Sequence, residues 1–319
     1  MNTGFWGKLN KPIMALAPMA NVTDEAFRRI IAKYGKPDVM WTEFVSCDGL
    51  CSAGKERLLP DFWFSEQERP IVAQVFGATP ENFYKTGQLV RSLGFDGLDI
   101  NMGCPDKAVL KQGAGASLIK NPKLAQEIIA AAKEGIGDLP LSVKTRIGDV
   151  KNTLDTWLPA LLETKPAAIT IHARTRKEMS LVPARWDTIK QAVEMAKGSG
   201  TLILGNGDVQ DMDQAKQRIM ETGADGVMIG RGIFGNPWLF SDKKKEEIPF
   251  EEKLRVMLEH TKLFEELYPN MKNFDFMKKH YKAYINNFPG ATDLRNELYQ
   301  TKNFAQVQEI VYKHFAVRI

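Results

Sequence analysis

Eight short apolar runs recur along the chain, separated by longer stretches in which apolar residues return every three or four positions. The runs are IMALAP (13–18), VMWTEFV (39–45), IVAQVFG (71–77), GLDINMG (97–103), LSVKTRIG (141–148), AAITIHA (167–173), LILGNGD (202–208) and GVMIGRG (226–232). Nearly continuous apolar character over so few residues suits strands buried on both faces of a parallel sheet. The intervening stretches carry helix punctuation. One opens on Thr23 as N-cap and stops at Gly35, and another opens on Thr79 with Pro80 in its first turn and stops at Gly94. A third opens on Asn121-Pro122, and a fourth stops at Gly223. Strands alternating with helices over about 240 residues predict an α/β fold, the (β/α)8 TIM barrel. The stretch 46–69 lacks a clean helical pattern and reads as a functional loop or a distorted helix.

After Pro237 the grammar changes. DKKKEEIPFEEK reads as a charged, proline-punctuated linker, and helical stretches alone follow, near 250–268, 274–287, 290–298 and 303–316. The chain therefore divides into a barrel domain, 1–241, and a small all-helical C-terminal domain, 242–319. Net charge is +4, and from Met271 to Ile319 eight Lys/Arg stand against four Asp/Glu, so the positive excess sits in the tail. That distribution fits an ordinary solvated helical surface or an acidic partner such as RNA.

Composition narrows the class. With 44% hydrophobic and 26% charged residues, the 319-residue chain is globular rather than disordered. No apolar run approaches membrane-spanning length, so no membrane association is expected. The opening MNTGFWGKLNKP lacks the layout of a secretory leader, and three cysteines make no disulfide framework, which together predict a reducing, cytoplasmic location. Cys47 and Cys51 lack the spacing and partners of a metal pair, so no metal site is expected. Nothing marks an obligate protein partner.

In a barrel of this type chemistry gathers at the C-terminal strand ends. Those ends carry Pro18-Met19-Ala20, Glu43, Gln74, then Asp99, Asn101 and Cys104, then Lys144 and Arg146, then His172 and Arg174, then Asn206-Gly207-Asp208, and finally Gly230-Arg231. Stability alone does not ask nearly every strand for a polar group at its mouth. The glycine-rich turns LGNGDV and IGRGIFGNP, each leading toward a helix start, suit a phosphate, with Arg231 adding charge. Lys144 and His172 then lie along the ligand, where a buried lysine meets negative charge, as at the N1–C2=O edge of a reduced flavin. The amides of Gln74 and Asn101 match the rim of such a ring.

This ordered set resembles the tRNA-dihydrouridine synthases, FMN-dependent enzymes that reduce a uracil ring in tRNA. The resemblance runs from APMANVTDEAFR through DINMGCP, SVKTRIG, ITIHARTR and NGDV to GADGVMIGRGIFGNPW and the C-terminal helices, and INMGCP with GAGASLI is closest to the bacterial B-type subgroup. It implies FMN as cofactor, NADPH as reductant, and a helical domain that grips tRNA. It implies flavin contacts from Pro18, Met19, Ala20, Gln74, Lys144 and His172, with Asn206, Gly207, Asp208, Gly230 and Arg231 around the phosphate. Cys104 matches the family's proton donor. The glycines of KQGAGASL are expected to act as hinges of a loop closing over the nucleotide.

A thiol between Gly103 and Pro105 suits that role. A hydride delivered to C6 of uracil leaves charge toward C5, and the reaction ends when an acid protonates C5. Substrate contacts are expected from Asn101, Arg174, Arg176, Lys278, Lys279 and Arg295. Three alternatives remain at this stage: a flavin barrel acting on a free pyrimidine, in the manner of dihydroorotate dehydrogenase; a tRNA-binding protein without chemistry; and an aldolase using Lys144.

Overall fold

The apolar runs become the staves of one parallel barrel. The computed structural model describes residues 3–286 and 288–316. The strands are β1 (Ile13–Leu16), β2 (Met40–Trp41), β3 (Val45–Ser46), β4 (Ile71–Phe76), β5 (Gly97–Met102), β6 (Leu141–Arg146), β7 (Ala168–His172), β8 (Leu202–Asn206) and β9 (Gly226–Ile229). They pair in parallel in the order β1-β9-β8-β7-β6-β5-β4-β2, and an Ala15–Val39 bridge closes the ring. This is the TIM barrel that the alternation predicts.

The second run holds two strands rather than one. β2 and β3 both pair with β4, but the register slips by one residue between them, the mark of a β-bulge. At the bulge the Thr42 hydroxyl, rather than a strand carbonyl, accepts the Gln74 N–H at 3.0 Å. The following stretch, 46–69, is a distorted helical layer: α2 (Cys47–Leu50), α3 (Lys55–Leu58) and two 3₁₀ turns.

The outer helices are α1 (Glu25–Tyr34), α4 (Pro80–Ser92), α5 (Lys107–Lys111), α6 (Pro122–Ile136), α7 (Leu154–Glu163), α8 (Trp186–Ala196) and α9 (Met212–Thr222). Asn121 caps α6 and Gly223 ends α9 in the left-handed conformation, as their sequences predict. Thr79 stands at the N-cap of α4, but its side chain makes no capping bond. The cap of α1 differs from expectation. Asp24 accepts from the Phe27 N–H, while the Thr23 hydroxyl accepts from the Met19 N–H at 3.0 Å and shapes the turn after β1.

Period-two alternation sorts the strands into two cores. Met14 and Leu16, Ile203, and Val227 and Ile229 face the helices; Ile13, Ala15 and Ala17, Leu204 and Met228 fill the barrel with Trp6 and Trp41. Continuing the inward series of β4 and β8 toward the strand ends converts apolar filling into polar groups: Val72 to Gln74, Leu204 to Asn206. The functional end is therefore the upper layer of the interior.

Four further helices follow: α10 (Phe250–Leu267), α11 (Lys278–Tyr284), α12 (Ala291–Leu298) and α13 (Phe304–Phe315). Their core takes in Trp238 and, from α1, Ala26 and Ile30, so the tail is seated on the barrel through α1. Glu259 of α10 accepts from Lys33 Nζ and Tyr34 OH, both at 2.6 Å. No helix among the described residues is long and apolar enough to cross a membrane.

Candidate active site

A cleft of about 250 Å³ opens at the C-terminal ends of the strands. Pro18 and Met19 line it from the turn after β1, Lys144 and Arg146 from β6, His172 and Arg174 from β7, Asn206 to Asp208 from β8, and Gly230 and Arg231 from β9. Strand register sets the rows: Asn101 lies beside Lys144, Arg146 beside His172, and His172 beside Asn206.

The electrostatics are one-sided. Lys144, Arg146, Arg174 and Arg231 line the cleft with one carboxylate, Asp208. Asp208 pairs with Arg174 and, at 3.1 Å, with Arg231, and it accepts the Ala184 N–H at 2.9 Å. Burial works to raise its pKa, but the Arg174 bond, the Ala184 N–H and the two guanidinium charges outweigh it and hold the carboxyl below its ordinary range. Among the described residues Lys144 Nζ bonds only the Asn206 amide oxygen, at 3.4 Å. Burial, then the Arg146 charge, pushes its pKa down to about 8, against the pull of Asp99 and Cys104. A buried cation so poorly paired calls for an anionic ligand.

His172 is neutral. Arg174 NH1 lies 3.2 Å from its Nε2. A guanidinium only donates, so Nε2 accepts and the imidazole proton sits on Nδ1. Burial, joined by the charges of Arg146, Lys144, Arg174 and Arg231, pushes its pKa down to about 2.

Beside the cleft stands the Cys104 loop. Asp99 accepts from Ser142 Oγ at 2.5 Å and from Gln74 Nε2 at 2.7 Å. Gln74 Oε1 accepts from Asn101 Nδ2 at 3.0 Å, and Asn101 Oδ1 accepts the N–H groups of Gly103 and Cys104 at 3.1 and 2.9 Å. The relay has one polarity throughout, ending on the backbone that presents the thiol. Arg146 Nε donates to Gly103 O at 2.8 Å, tying the same turn to the cationic wall. Cys104 is 9% exposed, among Val109, Ala114, Phe44 and Phe76. Burial raises its pKa, with lesser opposing effects from the Asp106 N–H, Arg146 and Lys144, so the thiol keeps its proton at neutral pH.

The sequence pattern described as Dihydrouridine synthase (Dus) matches residues 15–319. The chain belongs to the dihydrouridine synthase family. It is 39% identical over 317 residues to "Probable tRNA-dihydrouridine synthase 2" of Bacillus subtilis (strain 168), covering 98% of this chain and 96% of that protein. It is 38% identical over 318 residues to a "Probable tRNA-dihydrouridine synthase" of Staphylococcus epidermidis, with the same coverage. This dihydrouridine synthase is thus an enzyme of a flavin-dependent oxidoreductase family. Its barrel is similar to solved structures of histamine dehydrogenase from Rhizobium sp. 4-9 (TM-score 0.54, 13% identity, 83% of this chain and 50% of that one) and of a 2-naphthoyl-CoA reductase complex (0.52, 13%, 71% and 49%). At that identity the likeness shows the fold alone.

Most of the sequence-derived residues of this dihydrouridine synthase meet in or beside the cleft. Eight stand apart from its lining: Ala20, Gln74, Asn101, Cys104 and Arg176 in the barrel, and Lys278, Lys279 and Arg295 in the helical tail. Gln74 is fully buried, and its amide and that of Asn101 bond to each other rather than standing free for a ring. Arg176 pairs with Asp149. Lys278 and Lys279 share a shallow surface depression with Tyr299, Gln300 and Lys302. Lys278 pairs with Asp275 at 2.8 Å, and Lys279 donates to Asn21 O. Arg295 of α12 ties its helix to the end of α11, donating to Ile285 O at 2.8 Å and to Thr292 Oγ1 at 3.0 Å. Of the glycines in the loop after Cys104, Gly113 is exposed and Gly115 is buried against the Cys104 turn. Gly115 is left-handed (φ +59°), and a Cβ there would lie 2.9 Å from Cys104 O, while Ala116 N–H bonds that same oxygen at 3.1 Å. Arg146 is a residue that the sequence placed at its strand end without giving it a role. It is two positions beyond Lys144, on the same face of β6, so strand alternation was the signal for it.

Proposed function

We propose that this enzyme reduces a uridine of tRNA to 5,6-dihydrouridine, with bound FMN, NADPH as reductant and Cys104 as the acid. The observation that carries the reading is the juxtaposition of a cationic cleft with a protonated thiol, joined through Arg146, on a chain of this family. The residues fit a flavin phosphate and an electron-rich ring: four cations with one carboxylate line the cleft, and Lys144 has no ion-pair partner among the described residues. Arg231 and the turns at Gly207 and Gly230 would hold the phosphate, and Lys144 the ring edge. When bound, the reduced flavin supplies the hydride for the C5=C6 bond of uracil.

The chain's own residues do the rest. Cys104 holds a proton at Sγ for C5, and the Asn101 brace sets the backbone from which Sγ projects. Phe44, Phe76 and Val109 keep water from that sulfur. Neutral His172 donates from Nδ1 without adding charge. Asp208 holds Arg174 and Arg231 in place. Lys278, Lys279 and Lys302 offer charge to the RNA backbone. A tRNA substrate also implies work in the cytoplasm.

The test is direct. Purified protein should be yellow and bleach with NADPH without oxygen, and tRNA from cells lacking the gene should have lost dihydrouridine at a defined position. Turnover of free uracil compounds with no change in tRNA would replace this reading with that of a free-pyrimidine reductase.

A further inference from the structure

An apolar rim stands at the cleft mouth. The loop after β7 exposes Met179, Leu181 and Val182, with Leu181 86% exposed. A single exposed leucine is ordinary; three large apolar side chains within four residues, at the rim of a charged cleft, are not. Val150, also exposed, stands on the loop alongside, whose Asp149 carbonyl accepts the Lys177 N–H at 2.9 Å.

The tip is held rigidly. Arg146 NH1 donates to Met179 O at 3.1 Å, and Arg174 Nε donates to Val182 O at 2.5 Å, one guanidinium on each side of Leu181. Within the loop, Leu181 N–H bonds Glu178 O at 2.9 Å, and Glu178 in turn accepts from Thr175 N–H and Arg185. The two pinning arginines belong to the cleft wall, and Arg146 also holds Gly103. The position of Leu181 is thereby fixed relative to the Cys104 turn, and its ordering cost is met before any partner arrives.

We infer that Met179, Leu181 and Val182 form an apolar wedge that enters the tRNA beside the uridine drawn into the cleft. The inference rests on the tRNA reading above. A base that leaves its stack opens a gap, and an apolar side chain placed there recovers part of the lost stacking. The occupant is the RNA strand itself because the tip is continuous with the cleft, where Met179 and Ser180 are part of the lining, and because exposed Lys151 and Lys177 flank it.

The test compares Leu181→Ser and Leu181→Met in the full-length flavin-loaded enzyme, with rates taken per bound flavin on unmodified tRNA. A tRNA carrying 2-aminopurine next to the uridine that the wild type converts reports unstacking. Leu181→Ser should lower kcat/KM for tRNA by about tenfold. It should also lose the fluorescence rise on binding, while Leu181→Met keeps both. Leu181→Ser matching the wild type in rate and fluorescence overturns the wedge. So does a lost rate with the fluorescence rise intact, which would point to docking of a protein or another RNA surface. A wild type that NADPH bleaches but that makes no dihydrouridine overturns the tRNA reading, and the wedge with it.

Discussion

Lys272 and Glu43, 229 positions apart in the chain, meet at 2.8 Å with the lysine also 2.8 Å from Asp61. Glu43 is the bulge residue between β2 and β3, and its other oxygen accepts the Asn21 N–H in the turn that follows Pro18-Met19-Ala20. Lys279 donates to Asn21 O from the neighbouring helix. Burial opposes the charge on Lys272, but Glu43, Asp61 and Asp24 raise its pKa and keep it protonated. The helical tail is thus clamped to the turn that lines the cleft.

Lys272→Met should break that clamp. It leaves a buried Glu43 carboxylate without its cation, at a cost of about 3 kcal/mol. The turn at Asn21 would loosen with it. Expected outcomes are a lower Tm and weaker flavin retention, read by thermal melting and by the flavin absorbance left after gel filtration. A variant as stable and as yellow as the wild type would show that the clamp is dispensable.

Lys144 sets a pH dependence. With its pKa pushed down to about 8, the ammonium is present at neutral pH and lost as pH rises through 8, whereas Arg146, at about 10, holds its charge longer. Anion affinity of the flavin-free cleft should therefore weaken between pH 7 and 9. FMN titration across that range should show the fall in the wild type and a flat, weaker affinity in Lys144→Met. A wild-type affinity unchanged to pH 9 would remove Lys144 from the binding of the anion.

Cys104 makes a different demand. Burial raises the thiol pKa, so activity should not fall from loss of its proton until the solution is well alkaline. Cys104→Ala should retain flavin and lose about 10²- to 10⁴-fold in dihydrouridine formation, the usual worth of a positioned acid. Single-turnover assays on unmodified tRNA separate the two properties. A normal rate would assign the proton to another group.

Much of this was legible in the sequence, because strand burial and helix capping are local. The eight runs marked the staves, and Asn121 and Gly223 punctuated their helices. Alternation along β6 even placed Lys144 and Arg146 together, although only the lysine was taken up. What could not be read depends on distant partners. The break in the second stave follows from Thr42 bonding Gln74, and the clamp on Glu43 from a lysine in the tail. The Gln74–Asn101 bond likewise exists only once β4 and β5 are neighbours, so side chains that looked free for a ligand are committed to each other. Thr23 reads as the cap of α1 in the sequence; the turn at Met19 takes the threonine and leaves the cap to Asp24.

A last prediction concerns the buried seam between α1 and the tail. The His260 ring is fully buried, 4.6 Å from that of His280 and 5.5 Å from that of Phe27, and neither of its nitrogens has a hydrogen-bond partner among the described residues. Burial pushes its pKa down to about 3. His280 is pushed well below its ordinary value by burial, then by His260 and Lys279. Both are neutral in the fold and titrate near 6.5 once unfolded, so the unfolded chain takes up protons first as pH falls. Stability should drop below pH 6.5, by about 1.4 kcal/mol per pH unit for each histidine once the unfolded form is fully protonated. His260→Phe removes one of these sites and two unbonded nitrogens, a change worth about 1–2 kcal/mol in favour of the fold at neutral pH. Its Tm should exceed that of the wild type at pH 7, and the margin should widen toward pH 5. A margin that stays constant across that range would mean that His260 is protonated inside the fold, with water reaching the seam.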